Sequence, residues 1–400
     1  MRDDNKVIVK FGDVAKQLKE SVDRDSNPFE RYIEGGHLDS DSLRIKRWGV
    51  FNGDYVGPAF HRVFRKGNIL YGSRRTYLKK VATAEFEGIT ANTTFVIEAK
   101  SNDDFDGRLL PFLMLTDSFT RYSVSKSKGS TNPYINWKDL VNFEFVLPSK
   151  KEQIKVYRIL HKTEQILLDT EKAKNHLVSL KRSVERDLLL GGNDFHSLFG
   201  TSETIIPQGW KLVKLGEILT RVQYGSSDAL HQDGVTPVLR MMNLENGKVT
   251  DTDLKYSKLS SSGLKDIILK KGDILFNRTN SMEWVGRTAL FNLDGDFAFA
   301  SYLLRLNFDS NVTTPEFINR VLNHPLVQYR LKAYATPGVS QANINPNSLK
   351  QLPVVLPPLC DMEKTEKQLK DYDAAIHELE LKIESVKRIQ EYFRESLLED

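Results

Sequence analysis

Between Leu369 and Leu397 the apolar side chains return at alternating intervals of three and four: Leu369, Tyr372, Ile376, Leu379, Ile383, Val386, Phe393 and Leu397, with Gln390 the one polar interruption. A 3.5-residue repeat keeps one seam of a helix facing a partner and implies a left-handed supercoil. Moved back by 209 residues, the same spacing falls on Leu160, Leu167, Leu177, Val184 and Leu188, diluted by Thr163, Thr170, Lys174 and Lys181. Elsewhere the pattern is shorter. Asp273 to Phe276, Thr93 to Ala99 and Ser301 to Phe308 read as strands, and Pro315 to Tyr334 as a helix with proline in its first turn.

The chain is written twice. VKFGDV at 9 to 14 returns as VKLGEI at 213 to 218, and KGNILYGSR at 66 to 74 returns as KGDILFNRT at 271 to 279. That second displacement is 205, and it then becomes 209: Arg121 matches Arg330, Gly129 matches Gly338, Ile135-Asn136 matches Ile344-Asn345, and Leu147-Pro148 matches Leu356-Pro357. A unit of about two hundred residues is a duplicated domain, not a short-repeat solenoid. Each copy runs through mixed strands and turns, a strand with a polar exit, a helical stretch, a glycine-containing polar loop (SKSKGSTNPYIN or ATPGVSQANIN), a strand ending in Leu-Pro, and a long charged helix.

These patterns predict an α+β protein of two duplicated globular domains, 1–149 and 205–358, separated by an antiparallel two-helix coiled coil with pseudo-two-fold symmetry. Its helices are expected at 150–190 and 359–400, with a linker at 191–204. At 1.5 Å per residue the seam from Leu369 to Leu397 is about 43 Å long, the length of about 13 base pairs.

Composition narrows the class. With 40% apolar and 28% charged residues the chain is ordinary for a soluble protein, and no window or N-terminal stretch suggests a membrane span or signal peptide, so a cytoplasmic location is expected. A single cysteine, Cys360, excludes an internal disulfide, argues against a thiolate zinc site, and is expected to be a small buried apolar residue. The net charge of +4 decides little, but its distribution does. From Tyr55 to Ala84 there is no acidic residue, while Arg62, Arg65, Lys66, Arg74, Arg75, Lys79 and Lys80 gather around Tyr71 and Tyr77. Basic side chains with interleaved aromatics suit phosphate neutralisation and base contact; a solvated face is the plainer alternative.

The strand Asp273-Ile274-Leu275-Phe276 exits into Asn277, Arg278, Thr279, Asn280 and Ser281, side chains that include the types able to pair with purine edges. Catalytic chemistry is poorly supported. Asn132-Pro133-Tyr134 lacks the second proline of a methyltransferase loop, and no glycine-rich cofactor turn follows a strand. Glu98 and Lys100, with Glu85 or Glu87, are a weak nuclease pattern that the second copy does not repeat, and the eight histidines show no metal-binding spacing.

The paired domains, each followed by a long helix, together with GDILFNRTNSMEWVGRTALF and GVSQANINPNSLKQLPVVLPP, resemble the specificity subunits of type I restriction-modification enzymes. The likeness is strong over 205–400 and weaker in the first copy, where LYGSRRTYLKK and NPYIN replace LFNRTNSMEWVG and QANIN. It implies a non-catalytic subunit whose two target-recognition domains each read one half of a split, asymmetric double-stranded DNA site. It further implies two methyltransferase subunits held by the helices, and restriction/translocase subunits joining them. S-adenosylmethionine, ATP and Mg would belong to those partners. A coiled-coil scaffold binding only proteins is the alternative.

On this reading the expected DNA contacts of the second domain are Tyr224, Gly225, Ser226, Ser227, Asn277, Arg278, Thr279, Asn280, Arg287, Ser340, Gln341 and Asn343. Those of the first domain are Arg62, Arg65, Tyr71, Ser73, Arg74, Arg75, Tyr77, Lys79, Lys80, Lys126, Lys128 and Asn132. Arg278 is the first choice for a guanine contact or, equally, a phosphate clamp.

Overall fold

The KGNI and KGDI segments turn through Gly67 and Gly272, both at φ +91°, a conformation that glycine alone adopts without strain. In the turns Asn68 and Asp273 accept hydrogen bonds from the N–H of Arg65 and Lys270, at 2.7 and 2.9 Å. The apolar strands Ile69–Gly72 and Ile274–Asn277 follow, and every residue of both is buried. This computed structural model describes residues 7–23, 26, 28–51, 56–101, 103–200, 202–338 and 341–398.

The chain divides into two compact units, Met1–Lys172 with Leu379–Asp400, and Ala173–Glu378. In the first unit the strand order is Ala15–Leu18, Thr94–Ala99, Ile69–Gly72, Val81–Thr83. The second unit repeats it with Leu219–Tyr224, Leu303–Phe308, Ile274–Asn277 and Thr288–Leu290, and adds the short strands Lys248–Val249 and Leu244–Glu245. A second sheet in each holds a parallel pair, Arg31–Ile33 beside Gly88–Ala91 and Thr236–Leu239 beside Ala298–Phe299.

The ends of each domain are tied in the same register. Val9 faces Phe145 in one antiparallel pair and Val213 faces Val354 in the other. Just beyond these pairs an added Cβ on Gly12 would lie 2.9 Å from the Cβ of Val141, and one on Gly216 would lie 2.9 Å from the Cβ of Lys350. Both glycines are therefore close-approach residues, and they establish Val141 and Lys350 as equivalent positions.

Each unit has its own apolar core. Leu70 and Leu275 are fully excluded from solvent, and truncating such a leucine to alanine costs about 2–5 kcal/mol. The first long helix, Lys150–Leu190, starts with a capping box in which Ser149 and Glu152 exchange hydrogen bonds; the second spans Leu359–Glu395. Within the first unit Leu160 shares a cluster with Leu397 and Phe393, Leu167 with Ile383 and Val386, and Gln390 donates to Glu164 at 2.8 Å. Within the second, Lys181 pairs with Asp373 at 2.7 Å, and Val184 and Leu188 join the cluster of Leu369 and Tyr372. As one helix advances the other retreats, so in each unit they run antiparallel on the expected seam. Leu177, Ile376 and Leu379 complete that seam as half-buried positions.

Three sequence expectations change. The helical stretch from Pro315 to Tyr334 is two helices, Pro315–Asn323 and Pro325–Ala333, because Pro325 has no N–H to continue the first and is suited to start the second. Within 191–204 lies a short helix, Phe195–Phe199, capped by Asp194, whose carboxylate accepts from the Ser197 N–H at 2.8 Å. Cys360 is exposed rather than buried, since it falls on the outer face of the first turn of the second long helix.

Candidate nucleic-acid interface

In the second domain the polar exit of Ile274–Asn277 does not run free. Thr279–Asn280 pairs with Ala342–Ile344, which pairs in turn with Ala335–Pro337, giving a small three-stranded sheet. Thr279 faces Asn343, and the Ile344 N–H donates to the Arg278 carbonyl at 2.9 Å. Two segments some 65 residues apart are thereby clasped side by side.

Beside the clasp opens a groove of about 660 Å³ lined by Val222, Tyr224, Arg278, Thr336, Asn343, Asn345, Pro346, Asn347 and Lys350. It contains two cations and no carboxylate. The Arg278 guanidinium lies over the Tyr224 ring, 5.0 Å from its centroid, and its Nε has no hydrogen-bond partner. Stacking orients the guanidinium, its Nε is shielded from solvent, and no described residue accepts a hydrogen bond from its terminal NH₂ groups. Lys350 likewise has no ion-pair partner, and the Asn343 amide no hydrogen-bond partner, among the described residues.

The first domain builds the same clasp with other side chains. Arg74 bridges Tyr134 just as Thr279 faces Asn343, and the Ile135 N–H donates to the Ser73 carbonyl at 2.9 Å, matching the Ile344 bond to Arg278. Lys128 also pairs with Tyr134, and the Arg75 N–H donates to the Pro133 carbonyl at 2.7 Å. The Asn132-Pro133-Tyr134 motif is thus a turn of the clasp. Arg74, Arg75, Tyr77, Lys126, Lys128 and Asn132 are all exposed on or beside these two segments. Tyr134, which the sequence singles out only within the Asn132-Pro133-Tyr134 motif and not as a DNA contact, is 43% exposed there, and its match to position 343 is the signal that marks it as one.

Several expected contacts lie elsewhere. Tyr71 is buried against Phe95 and Phe119, so its ring cannot stack on a base, and burial raises its phenol above the ordinary range. Ser73 is buried and donates to the Thr93 carbonyl at 2.7 Å. Asn277 is fully buried, its amide donating to the Trp284 carbonyl at 3.0 Å. Tyr71 and Asn277 lie within strands whose every residue is buried, and Ser73 directly follows one of them.

Nor is the acid-free window acid-free in space. Arg65 pairs with Glu20 and Glu87, and the Glu20 hydrogen bond raises its pKa. Lys79 pairs with Asp117, holding that carboxyl below its usual range, and the Lys80 ammonium donates to the Gly35 carbonyl. Lys128 keeps only a 3.5 Å exposed pair with Asp139. Arg62 is half-buried on the strand Phe60–Phe64.

In the second domain Ser226 bonds Asp228 and, through its backbone N–H, the Phe299 carbonyl. Gly225 is needed where a Cβ would meet that same carbonyl at 2.1 Å, whereas Ser227 is exposed. The Asn280 amide lies against the Met241 sulfur, Arg287 stacks 3.4 Å over the Trp284 ring, and Gln341 is exposed. Ser340 lies outside the described residues. Thr336, Asn345, Asn347 and Lys350, none of them a contact expected from the sequence, also line the groove.

As for the weak nuclease pattern, Glu98 is engaged by Lys16 at 2.8 Å and the Lys100 ammonium by the Gly12 carbonyl. No group of three or more potential metal ligands occurs among the described residues. No helix among them is long and apolar enough to cross a membrane.

The family model for the type I restriction modification DNA specificity domain matches residues 6–179 and again 207–387. The chain belongs to that family, and both copies of its duplicated domain are members. It is 25% identical over 298 residues to the type I restriction enzyme MjaVIII specificity subunit of Methanocaldococcus jannaschii, covering 72% of this chain and 68% of that one. It is 28% identical over 180 residues to the EcoDI specificity subunit of Escherichia coli, covering 44% of this chain. The aligned stretches span only 38% of the EcoDI subunit and 48% of the EcoKI subunit. The fold is shared with the type I restriction-modification system S subunit from M. genitalium, at TM-score 0.60 and 13% identity, over 100% of this chain and 98% of that one. It is also shared with a chain described under complex assembly and conformational transition of the type I R-M system, at TM-score 0.58 and 18% identity, over 99% and 98%.

Proposed function

We infer that this chain is the non-catalytic specificity subunit of a type I restriction-modification system, with each domain reading one half of a bipartite, asymmetric double-stranded DNA site. In this reading the paired helices set the interval between half-sites and dock two methyltransferase subunits, to which restriction/translocase subunits are added. S-adenosylmethionine, ATP and Mg act in those partners. The family membership supports this role, and one observation carries it to the residues: the strand-exit clasp is built twice, each time with nearby cations that have no carboxylate partner among the described residues. Arg278 and Lys350 supply them in one domain, and Arg74, Arg75 and Lys126 in the other. Phosphates and guanine edges are the acceptors such cations fit.

Titrating duplex binding of the full chain against salt tests the reading. A DNA reader loses affinity steeply as salt rises, by about 10³- to 10⁵-fold between 50 and 200 mM for six to ten phosphate contacts. A protein-only scaffold shows no duplex affinity to titrate.

A further inference from the structure

Within the duplicated clasp, register equivalence sets Asn343 of one domain against Tyr134 of the other, on shared backbone but with different chemistry. Thr279 faces Asn343 where Arg74 bridges Tyr134, and the adjoining Ile344 and Ile135 N–H groups make the same 2.9 Å bond to the strand exit. At this position one domain offers a carboxamide and the other a phenol. Behind it, at the position fixed by the Gly216 and Gly12 contacts, one domain has Lys350 and the other Val141.

Resting on the functional reading above, we propose that Asn343 is a specificity-determining residue of the second domain. Its amide reads an adenine in the groove, and Lys350 holds a neighbouring phosphate. The Asn343 side chain is half-buried in the groove and makes no hydrogen bond to a described residue, so both its N–H donors and its carbonyl are available. A carboxamide presents a donor and an acceptor side by side, the complement of adenine N7 and N6–H₂ in the major groove. A carboxylate nearby would compete for the amide donors and repel phosphate, but none lines the groove. Arg278, braced on Tyr224, stands next to Asn343 across the clasp and offers a guanidinium to an adjacent acceptor. The first domain cannot make the same demand. Tyr134 carries a single hydroxyl, Val141 carries no charge, and Asn136, equivalent to Asn345, spends its amide on Asp139 at 3.2 Å. The two halves of the recognised site therefore differ at the base pair under this position.

Selection of bound duplexes from a randomised pool by the full chain provides the test. The wild-type chain is expected to return a bipartite motif with a fixed adenine in one half. Asn343→Ala should lose roughly 5- to 150-fold in affinity for that motif and accept any base at that one position, with the other half unchanged. Asn343→Asp, which keeps the shape of the side chain, should lose the same adenine while the chain stays folded. Lys350→Ala should weaken all sequences alike and lower the salt slope by about 1, leaving the motif intact. A motif that survives both Asn343 substitutions overturns this assignment alone. A wild-type chain that binds no duplex, or selects no motif, overturns the functional reading and the assignment with it.

Discussion

The two domains share strand order, end-to-end register and clasp, yet they distribute charge in opposite ways. In the first domain the cations without an ion-pair partner among the described residues, Arg74, Arg75 and Lys126, are exposed on the surface of the clasp. In the second they sink into a groove and are oriented, Arg278 by a tyrosine ring. The contrast continues inside. At equivalent core positions the first domain has Asn68 and Val96, and the second has Asp273 and Arg305, whose side chains form a buried ion pair at 3.2 Å. Around that pair Asn307 donates to Asp273, and Arg305 also reaches Gln223 and the carbonyls of Asp266 and Ile268. A duplicated backbone thus tolerates different interior solutions, while the surface it presents at the clasp is free to diverge.

The interior difference should be the larger in energy. Asp273→Ala leaves Arg305 charged, buried and without its carboxylate, and should destabilise the second unit by about 3–5 kcal/mol. Asn68→Ala removes a single turn hydrogen bond and should cost the first unit about 1 kcal/mol. Hydrogen exchange followed unit by unit separates the two losses, and equal losses would remove the contrast.

Acid should then discriminate between the units. His324 is buried where the first domain has Leu115, and burial lowers its pKa from 6.5 to about 4. Because the folded value lies below the unfolded one, the neutral imidazole is favoured by folding. Its contribution is complete above pH 6.5 and is lost as pH falls towards 4, amounting to about 3 kcal/mol. A melting series from pH 7 to 4 should show the second unit weakening, and His324→Leu should flatten the response if the imidazole causes it.

On DNA the predicted effects are smaller but more distinctive. Arg278→Ala should cost about 1–3 kcal/mol on the selected site and little on random duplex if its guanidinium reads a base. Replacing Arg74 and Arg75 together by alanine should weaken every duplex similarly and lower the salt slope by about 2, the mark of phosphate contacts. Competition binding at several salt concentrations checks both, and the same pattern for the two variants would erase the distinction drawn between groove and exposed surface.

How far the sequence led depends on the length over which a pattern is averaged. The duplication and the long seam were legible because many positions repeat them, and Leu160, Leu167, Ile383, Val386 and Leu397 are all buried in place. The clasp was half legible. Both of its segments were singled out, but which side chains turn inward depends on pairing between residues far apart in sequence. Tyr71, Ser73 and Asn277 therefore looked like contacts and proved to be core. The basic window misled for the same reason, since Glu20, Glu87 and Asp117 are brought to it from outside. Lys350 and Asn347 sit on a short helix after the clasp, Pro346–Lys350, where no sequence pattern marks them as lining a groove.

The claim that each domain reads its own half-site is tested most directly by repeating the duplex selection with Arg278 and Asn343 both changed to alanine. The account predicts a motif degenerate in one half and unaltered in the other. Degeneracy spread across both halves, or in neither, would contradict it.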